Sequence, residues 1–157
     1  MKATATLLAS SLLGLAMVQP QGAGAQPADP PVPASIWDGI FTETQAARGA
    51  NTYINECSTC HGPTLRGSLD GPGLYGDAFL SKWTDVPVGG LYEYVRTQMP
   101  FGRPNSLGSR SYLNIVAHIL SVNGYPAGDT ELTANEDLLY GILIERPPET
   151  PDAPPAP

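Results

Sequence analysis

The sequence predicts an all-α protein, and three observations carry that prediction. Residues 43–57 and residues 111–122 place apolar side chains three and four positions apart, the spacing of an amphipathic helix. Two capping boxes mark helix starts, one formed by Thr42 with Gln45 and one by Thr133 with Glu136. No stretch of strict apolar and polar alternation is long enough to indicate a β-sheet.

Residues 1–25 have the pattern of a secretory signal peptide. Lys2 precedes an apolar run over residues 3–18, and Ala23-Gly24-Ala25 resembles a small-residue cleavage site. The apolar run is shorter than the ~20 residues that a membrane-spanning helix needs, so we expect export without stable membrane insertion after signal cleavage. Residues 26–39 begin with a stretch rich in proline and alanine and are assigned to a tether.

The charge of the chain excludes one class of partner. The formal net charge is −7 at pH 7, and loss of Lys2 with the signal makes it one unit more negative. There is no run of Lys or Arg and no glycine-rich phosphate loop, so we expect no binding to nucleic acid. The acidic balance favours solubility and steering toward a positively charged partner.

The first helix is predicted to start near Glu43 and to end near Cys57. Gly49 lies inside it, where glycine costs about 1 kcal/mol relative to alanine. Such a glycine indicates close approach of another backbone. The residues expected on one face of this helix are Ala46, Ala50, Tyr53 and Ile54.

The helix leads into Cys57-Ser58-Thr59-Cys60-His61, the attachment signature for c-type haem. Residues three and four apart on a helical turn share a face. Cys57 and Cys60 can then each form a thioether with a haem vinyl group, while the His61 imidazole reaches the iron from the same side. The motif predicts one covalently attached haem.

Other chemistries of a Cys-x-x-Cys pair fit this chain less well. A thioredoxin-like redox pair follows a strand, whereas the segment before Cys57 has a helical pattern. A structural zinc site needs four ligands, and the fourth would have to be the distant His118. A simple disulfide or dithiol is the remaining alternative.

Three further helices are predicted. They span residues 90–98, residues 111–122 with Asn123-Gly124 as the stop, and a segment that begins near Thr133 and carries Leu138, Leu139, Ile142 and Leu143. Residues 127–146 therefore form a C-terminal extension with a short helix. Residues 147–157 are so rich in proline that we expect a disordered tail.

Together these motifs resemble a class I c-type cytochrome over residues 40–126. The resemblance rests on Gly49 with Tyr53, on the Cys-x-x-Cys-His run, on Gly71-Pro72-Gly73-Leu74, on Met99-Pro100, and on a helix that ends at Asn123-Gly124. It implies helices packed around one haem c, with the N-terminal and C-terminal helices crossing. The loop from Gln98 to Leu107, with Tyr112, resembles cytochromes and cytochrome subunits that serve periplasmic dehydrogenases, of the quinoprotein alcohol or sulfite type.

The resemblance also implies the iron ligands. Class I cytochromes hold iron between a histidine and a methionine, here His61 and Met99. Met99 is the only methionine left once the signal is removed. His118 is the rival sixth ligand. The family commonly has an aromatic residue there, so we expect His118 to pack against the helix carrying Gly49 and Tyr53.

Residues around the haem follow by resemblance. The Pro72 carbonyl is expected to accept a hydrogen bond from the His61 Nδ1–H. The side chains expected to line the haem face are those of Leu74, Tyr75 and Phe79. Trp83 and Arg103 are candidates for hydrogen bonds to the haem propionates.

The function implied is electron transfer, without catalysis of its own. A periplasmic dehydrogenase is the expected electron donor, and an oxidase or another cytochrome of the respiratory chain is the expected acceptor. Two alternatives remain: an obligate haem subunit of a dehydrogenase complex, and a five-coordinate haem enzyme such as a peroxidase. The expected location is the periplasm.

Overall fold

The structure is a computed structural model that describes residues 33–148. The predicted signal peptide, residues 26–32 of the predicted tether and residues 149–157 of the predicted tail lie outside the described residues. A 3₁₀ turn, Ile36–Asp38, precedes helices α1 (Glu43–Glu56), α2 (Ser58–His61), α3 (Asp77–Trp83), α4 (Val88–Gln98), α5 (Ser109–Val122) and α6 (Glu136–Gly141). Within residues 33–148 the pairing of extended backbone is limited to one isolated bridge, between Pro87 and Leu143. The all-α prediction is confirmed.

No helix among residues 33–148 has the length and apolar character needed to cross a membrane.

Helix α1 begins where the capping pattern predicts. The Thr42 hydroxyl accepts a hydrogen bond from the Gln45 backbone N–H at 3.1 Å, which satisfies one of the unpaired donors of the first turn. The Gln45 side chain is buried and has another partner. Its Nε2 donates to the Leu132 carbonyl at 2.8 Å, and its Oε1 accepts from the Leu132 N–H at 2.7 Å. The start of α1 is thereby tied to the C-terminal extension.

Helices α1 and α5 pack against each other, and Gly49 lies at their contact. A Cβ atom on Gly49 would overlap the Asn114 carbonyl oxygen and would lie 2.8 Å from the His118 Cβ. Only a residue without a side chain allows the two backbones to come this close. The close approach predicted from the sequence is confirmed.

We expect Gly49→Ala to destabilise the protein despite the better helix propensity of alanine. The propensity gain is about 1 kcal/mol, whereas overpacking a tight contact costs about 1–3 kcal/mol or more. Here the obstacle is backbone, which cannot rotate away, so we expect a cost near the top of this range. Denaturant unfolding should show a net loss of up to about 2 kcal/mol.

Gly141→Ala is the matched control for this variant. Gly141 is also helical, at the end of α6, but an added Cβ meets no atom within 4 Å. Its stability should stay unchanged or rise slightly. Equal stability of Gly49→Ala and wild type would contradict the tight crossing.

Both segments that flank the predicted domain contribute to its core. Ile36, within the residues assigned to the tether, is fully buried, so the tether prediction for residues 36–39 does not match the structure. The Gly128 N–H donates to the Phe41 carbonyl at 2.7 Å, which joins the C-terminal extension to the segment just before α1. The buried apolar residues of the extension are Leu132, Leu139, Ile142 and Ile144. Periodicity does not predict the burial of Leu132 and Ile144, because isolated apolar residues in irregular segments carry no repeat.

Helix α6 is shorter than predicted. Asn135, not Thr133, is its N-cap, because the Asn135 Oδ1 accepts from the Leu138 N–H at 2.9 Å. The helix ends at Gly141, so Ile142 and Leu143 are not helical. The Ile142 carbonyl instead accepts from the Val88 N–H at 2.9 Å, which draws the chain into extended pairing with the segment before α4.

Helices α3 and α4 contribute side chains to the lining of a cavity in the interior. Helix α3 has seven residues and was not predicted, since it is too short to show a repeat. Helix α4 starts at Val88, two residues before the predicted start, and α5 starts at Ser109, also two residues early. Differences of this size are usual at helix ends.

A candidate haem site

A cavity of about 250 Å³ lies among the helices and opens to the surface. Cys57, Cys60 and His61 line it, and so does Met99. Most of the remaining lining is apolar and comes from α3, α4, α5 and the loop after α2. The structure thus brings together the four residues that the sequence motifs predicted as attachment points and ligands.

The three motif residues lie on one helical turn. The Cys57 carbonyl accepts hydrogen bonds from the Cys60 N–H at 3.2 Å and from the His61 N–H at 3.0 Å. Both thiols are free and half-buried. Burial, then the charge of Glu56 and then Cys60 raise the pKa of the Cys57 thiol to about 11, so it stays protonated at neutral pH.

The His61 imidazole is buried and held by one hydrogen bond. Its Nδ1 lies 2.8 Å from the Pro72 carbonyl oxygen, the contact that the resemblance implies. A carbonyl only accepts, so Nδ1 carries the proton and Nε2 keeps an available lone pair. A Cβ on Gly71 would lie 2.8 Å from the Cys60 carbonyl oxygen and 3.2 Å from the His61 Nδ1, so glycine is needed beside this contact.

Tyr53 holds the end of the motif turn. Its hydroxyl donates to the Gly62 carbonyl at 2.6 Å, directly after His61. Burial is the main reason that the pKa of Tyr53 rises to about 12, so the phenol remains a donor throughout the physiological range. Tyr53 also lines the cavity, which links α1 to the site.

Met99 follows α4 in an extended conformation and is held from α5. The fully buried Tyr112 donates from its hydroxyl to the Met99 carbonyl at 3.1 Å. The same hydroxyl accepts from the Leu107 N–H at 3.2 Å, so it fixes both ends of the loop after α4. Pro100 is buried and also lines the cavity. These hydrogen bonds fix the backbone of the loop that carries the Met99 thioether.

The predicted lining residues divide into two groups. Leu74, Phe79 and Trp83 line the cavity. Tyr75 is 38 % exposed, does not line it, and lies under the Arg66 guanidinium at 4.9 Å from the ring centroid. Arg103 does not line it either, and its guanidinium pairs at 2.8 Å with the carboxylate of Glu56, which does line the cavity. The structure therefore places Tyr75 and Arg103 outside the lining, and the propionate contact of Arg103 stays a prediction.

Asn123 supports the cavity wall, a role that the sequence did not indicate beyond a helix stop. Its Nδ2 donates to the Leu74 carbonyl at 2.9 Å, and its Oδ1 accepts from the Gly76 N–H at 2.9 Å. These bonds fix the loop that carries Leu74 to the end of α5. An asparagine beside glycine is a common helix stop, so no local signal distinguishes this role.

His118 does not line the cavity. Its ring lies 5.4 Å from the Tyr53 ring, centroid to centroid, on the face of α5 that meets α1. This is the packing expected from the sequence. Burial lowers the pKa of His118 below its usual value.

Because burial lowers the pKa of His118, we expect the fold to be less stable in mild acid. The unfolded chain binds a proton near pH 6.5, but the folded chain binds it only at lower pH. Between these two values the unfolded state holds more protons, so the free energy of unfolding falls as pH decreases through about 6.5 and levels off below the folded pKa. Urea unfolding at several pH values should show this.

His118→Phe is the control, because phenylalanine fills the same aromatic position without titrating. The free energy of unfolding of His118→Phe should decrease less than that of the wild type when the pH is lowered from neutral to mildly acidic. Parallel curves for the two proteins would assign the pH dependence to other groups.

The fold and site have the features of one protein class. An all-helical domain with crossing α1 and α5, a Cys-x-x-Cys-His turn after α1 and a methionine lining the same cavity resembles the class I c-type cytochromes. The sulfane dehydrogenase SoxCD from Paracoccus pantotrophus is similar, with 26% sequence identity and a TM-score of 0.44 over 68% of this chain and 62% of that chain. Cytochrome cL from Hyphomicrobium denitrificans shares 27% identity, with a TM-score of 0.38 over 51% of this chain and 49% of that one.

The chain thus spans about three fifths and about half of the length of these two structures. No family model and no curated protein matches the sequence.

Proposed function

We propose that this chain is an exported electron-transfer protein that carries one haem c. Cys57 and Cys60 attach the group through thioethers, and His61 and Met99 ligate its iron. A periplasmic dehydrogenase is the proposed donor, and an oxidase or another cytochrome is the proposed acceptor. The observation that carries the proposal is that all four of these residues line one cavity.

The residues present fit a covalently bound haem. Two free thiols and an imidazole share one turn, a thioether lines the same cavity, and glycine at position 71 leaves room for the Pro72 carbonyl to reach the imidazole. Most other lining side chains are apolar, as an iron porphyrin requires. The residues match what c-type haem needs: two thiols for covalent attachment, and an imidazole and a thioether for the iron.

Bound haem supplies one-electron redox chemistry through its iron. The chain's residues set the conditions for that chemistry. His61, with Nδ1–H donated to Pro72, presents Nε2 as a basic and oriented ligand. Met99 is a soft donor that favours reduced iron, and the Tyr112 hydrogen bond keeps its loop in place. The buried Phe79 and Trp83 side chains keep water away.

Iron held by both His61 and Met99 would leave no open coordination site for peroxide or another substrate, so this ligand pair supports a carrier over an enzyme. The cavity opens next to Phe101, which lines it and is 90 % exposed. An apolar side chain at such an opening suits a small and short-lived contact with a redox partner, under about 1,200 Å² in total.

The extension packs mainly on the chain itself. Leu132, Leu139, Ile142 and Ile144 are buried in the chain's own core, and Leu132 pairs with Gln45, whereas Tyr140 and Leu143 are exposed. Most of its apolar side chains therefore serve the fold, and Tyr140 and Leu143 are the two left for contact with a catalytic subunit. Purification without a catalytic subunit would agree with a free carrier, and stable co-purification would favour the subunit alternative.

Spectroscopy of the purified protein tests the proposal. The oxidised protein should show the weak near-infrared charge-transfer absorption of iron–thioether ligation, and the reduced protein should not bind carbon monoxide rapidly at neutral pH. Rapid carbon monoxide binding without the near-infrared absorption would support the five-coordinate enzyme instead.

A further inference from the structure

Lys82 is the one lysine or arginine that lines the cavity in the described part of the chain. It lies in the last turn of α3, and its side chain is exposed at the cavity opening. The only other lysine of the whole sequence is Lys2, in the predicted signal peptide. Within residues 33–148 the cavity wall therefore carries a single ammonium or guanidinium group.

Two aromatic rings hold the Lys82 ammonium in place. Its Nζ lies 3.8 Å from the centroid of the Tyr94 ring and 4.9 Å from that of the Trp83 ring. The two rings meet edge to face, 5.4 Å apart at 72°, and both line the cavity. Cation–π attraction at two faces restricts a side chain that is otherwise flexible. An anion bound there meets an ammonium that is already positioned.

No carboxylate of the described residues pairs with Lys82. Of the two carboxylates that line the cavity, Glu56 is paired with Arg103, and Asp70 forms no ion pair within residues 33–148. The remaining titratable groups on the lining are the phenols of Tyr53 and Tyr94 and the Cys57, Cys60 and His61 turn. The Lys82 charge is thus left for a ligand carboxylate.

We infer that Lys82 is the counter-ion for a carboxylate of the bound haem, positioned by Trp83 and Tyr94. This inference rests on the proposed function, since haem carries two propionate carboxylates into a mostly apolar cavity. It assigns to Lys82 the charge that the sequence suggested for Arg103, which the structure pairs with Glu56 instead. An ammonium next to the carboxylate keeps it ionised near neutral pH and favours reduced iron.

The test is the reduction potential as a function of pH in Lys82→Gln, Lys82→Arg and wild type. The wild-type potential should be nearly constant between about pH 6 and pH 8, since the paired carboxylate titrates below this range. Without the ammonium, the carboxylate titrates at higher pH, and its loss of a proton favours oxidised iron. The Lys82→Gln potential should therefore fall as pH rises.

At the alkaline end the Lys82→Gln potential should also lie below that of the wild type, by an amount equivalent to about a tenfold change in the ratio of oxidised to reduced protein, about 59 mV for one electron. Lys82→Arg keeps the charge and should restore the flat profile. Arg66→Gln is the matched control. It removes a charge that also lies over an aromatic ring, that of Tyr75, but outside the cavity, so its profile should stay flat.

Acetylation of the purified wild-type protein removes the Lys82 charge after the protein has folded, so it tests the same inference without a variant that must fold. Once residue 2 is removed with the signal, Lys82 is the sole lysine, and acetylated Lys82→Arg corrects for reaction at the amino terminus. If the haem is covalently bound but the potential of Lys82→Gln or of the acetylated protein depends on pH as that of the wild type does, this inference alone is overturned. Absence of covalent haem from the wild type would overturn the proposed function.

Discussion

Met99→Ala should open a coordination site on the haem iron, whose coordination positions we propose are all occupied in the wild type. The near-infrared absorption should disappear, and the reduced protein should bind carbon monoxide. The reduction potential should fall by on the order of 0.2 V, well within the ~0.8 V range that axial ligands span, because the thioether favours reduced iron. Absorption spectroscopy and potentiometry measure these effects.

Val95→Ala is the control for this variant. It also shortens an apolar side chain of the cavity lining and leaves both ligands in place. Its near-infrared absorption should persist, and its potential should change far less. If Met99→Ala kept the wild-type spectrum, Met99 would not be the sixth ligand, and the cavity lining would have to supply another.

Cys57→Ser combined with Cys60→Ser should abolish covalent attachment. A serine hydroxyl is not the nucleophile that a thiol is, so no thioether forms. Any haem that remains would be held by ligation and packing alone, and acidified organic solvent should extract it. We expect the wild type to keep its pigment under the same treatment.

Thr59→Ala provides the comparison for the double variant. Thr59 lies between the two cysteines and is exposed, so its loss leaves the thiols and the imidazole in place. This variant should retain pigment through extraction. Retention of pigment by the double serine variant would show that another residue attaches it.

The long helices were predictable because local signals and tertiary packing agree. Thr42 caps α1, and Ala46 and Tyr53 of α1 pack in the same core as the apolar side chains of α5. Ile54, also predicted on this face of α1, is exposed instead. Gly49 was informative because a glycine in a helix interior is unfavourable unless another backbone needs the space. The motif turn was predictable from residue chemistry and Met99 from the family resemblance, and the structure brings them to one cavity.

The remaining features depend on contacts that are distant in the sequence. Nothing local shows that Ile36 is buried or that Gln45 bonds to Leu132. The resemblance implied Arg103 as a candidate for a hydrogen bond to a haem propionate, and the fold pairs its guanidinium with Glu56. Lys82 lines the cavity instead because α3, which is too short for a periodic pattern, places it between Trp83 and Tyr94.

The most direct test of this account is iron K-edge X-ray absorption of the purified oxidised protein, which reports the atoms bound to the metal. We expect nitrogen neighbours from the porphyrin and His61 together with a single sulfur neighbour from Met99. Iron with nitrogen and oxygen neighbours and no sulfur, or a protein purified without iron, would contradict it.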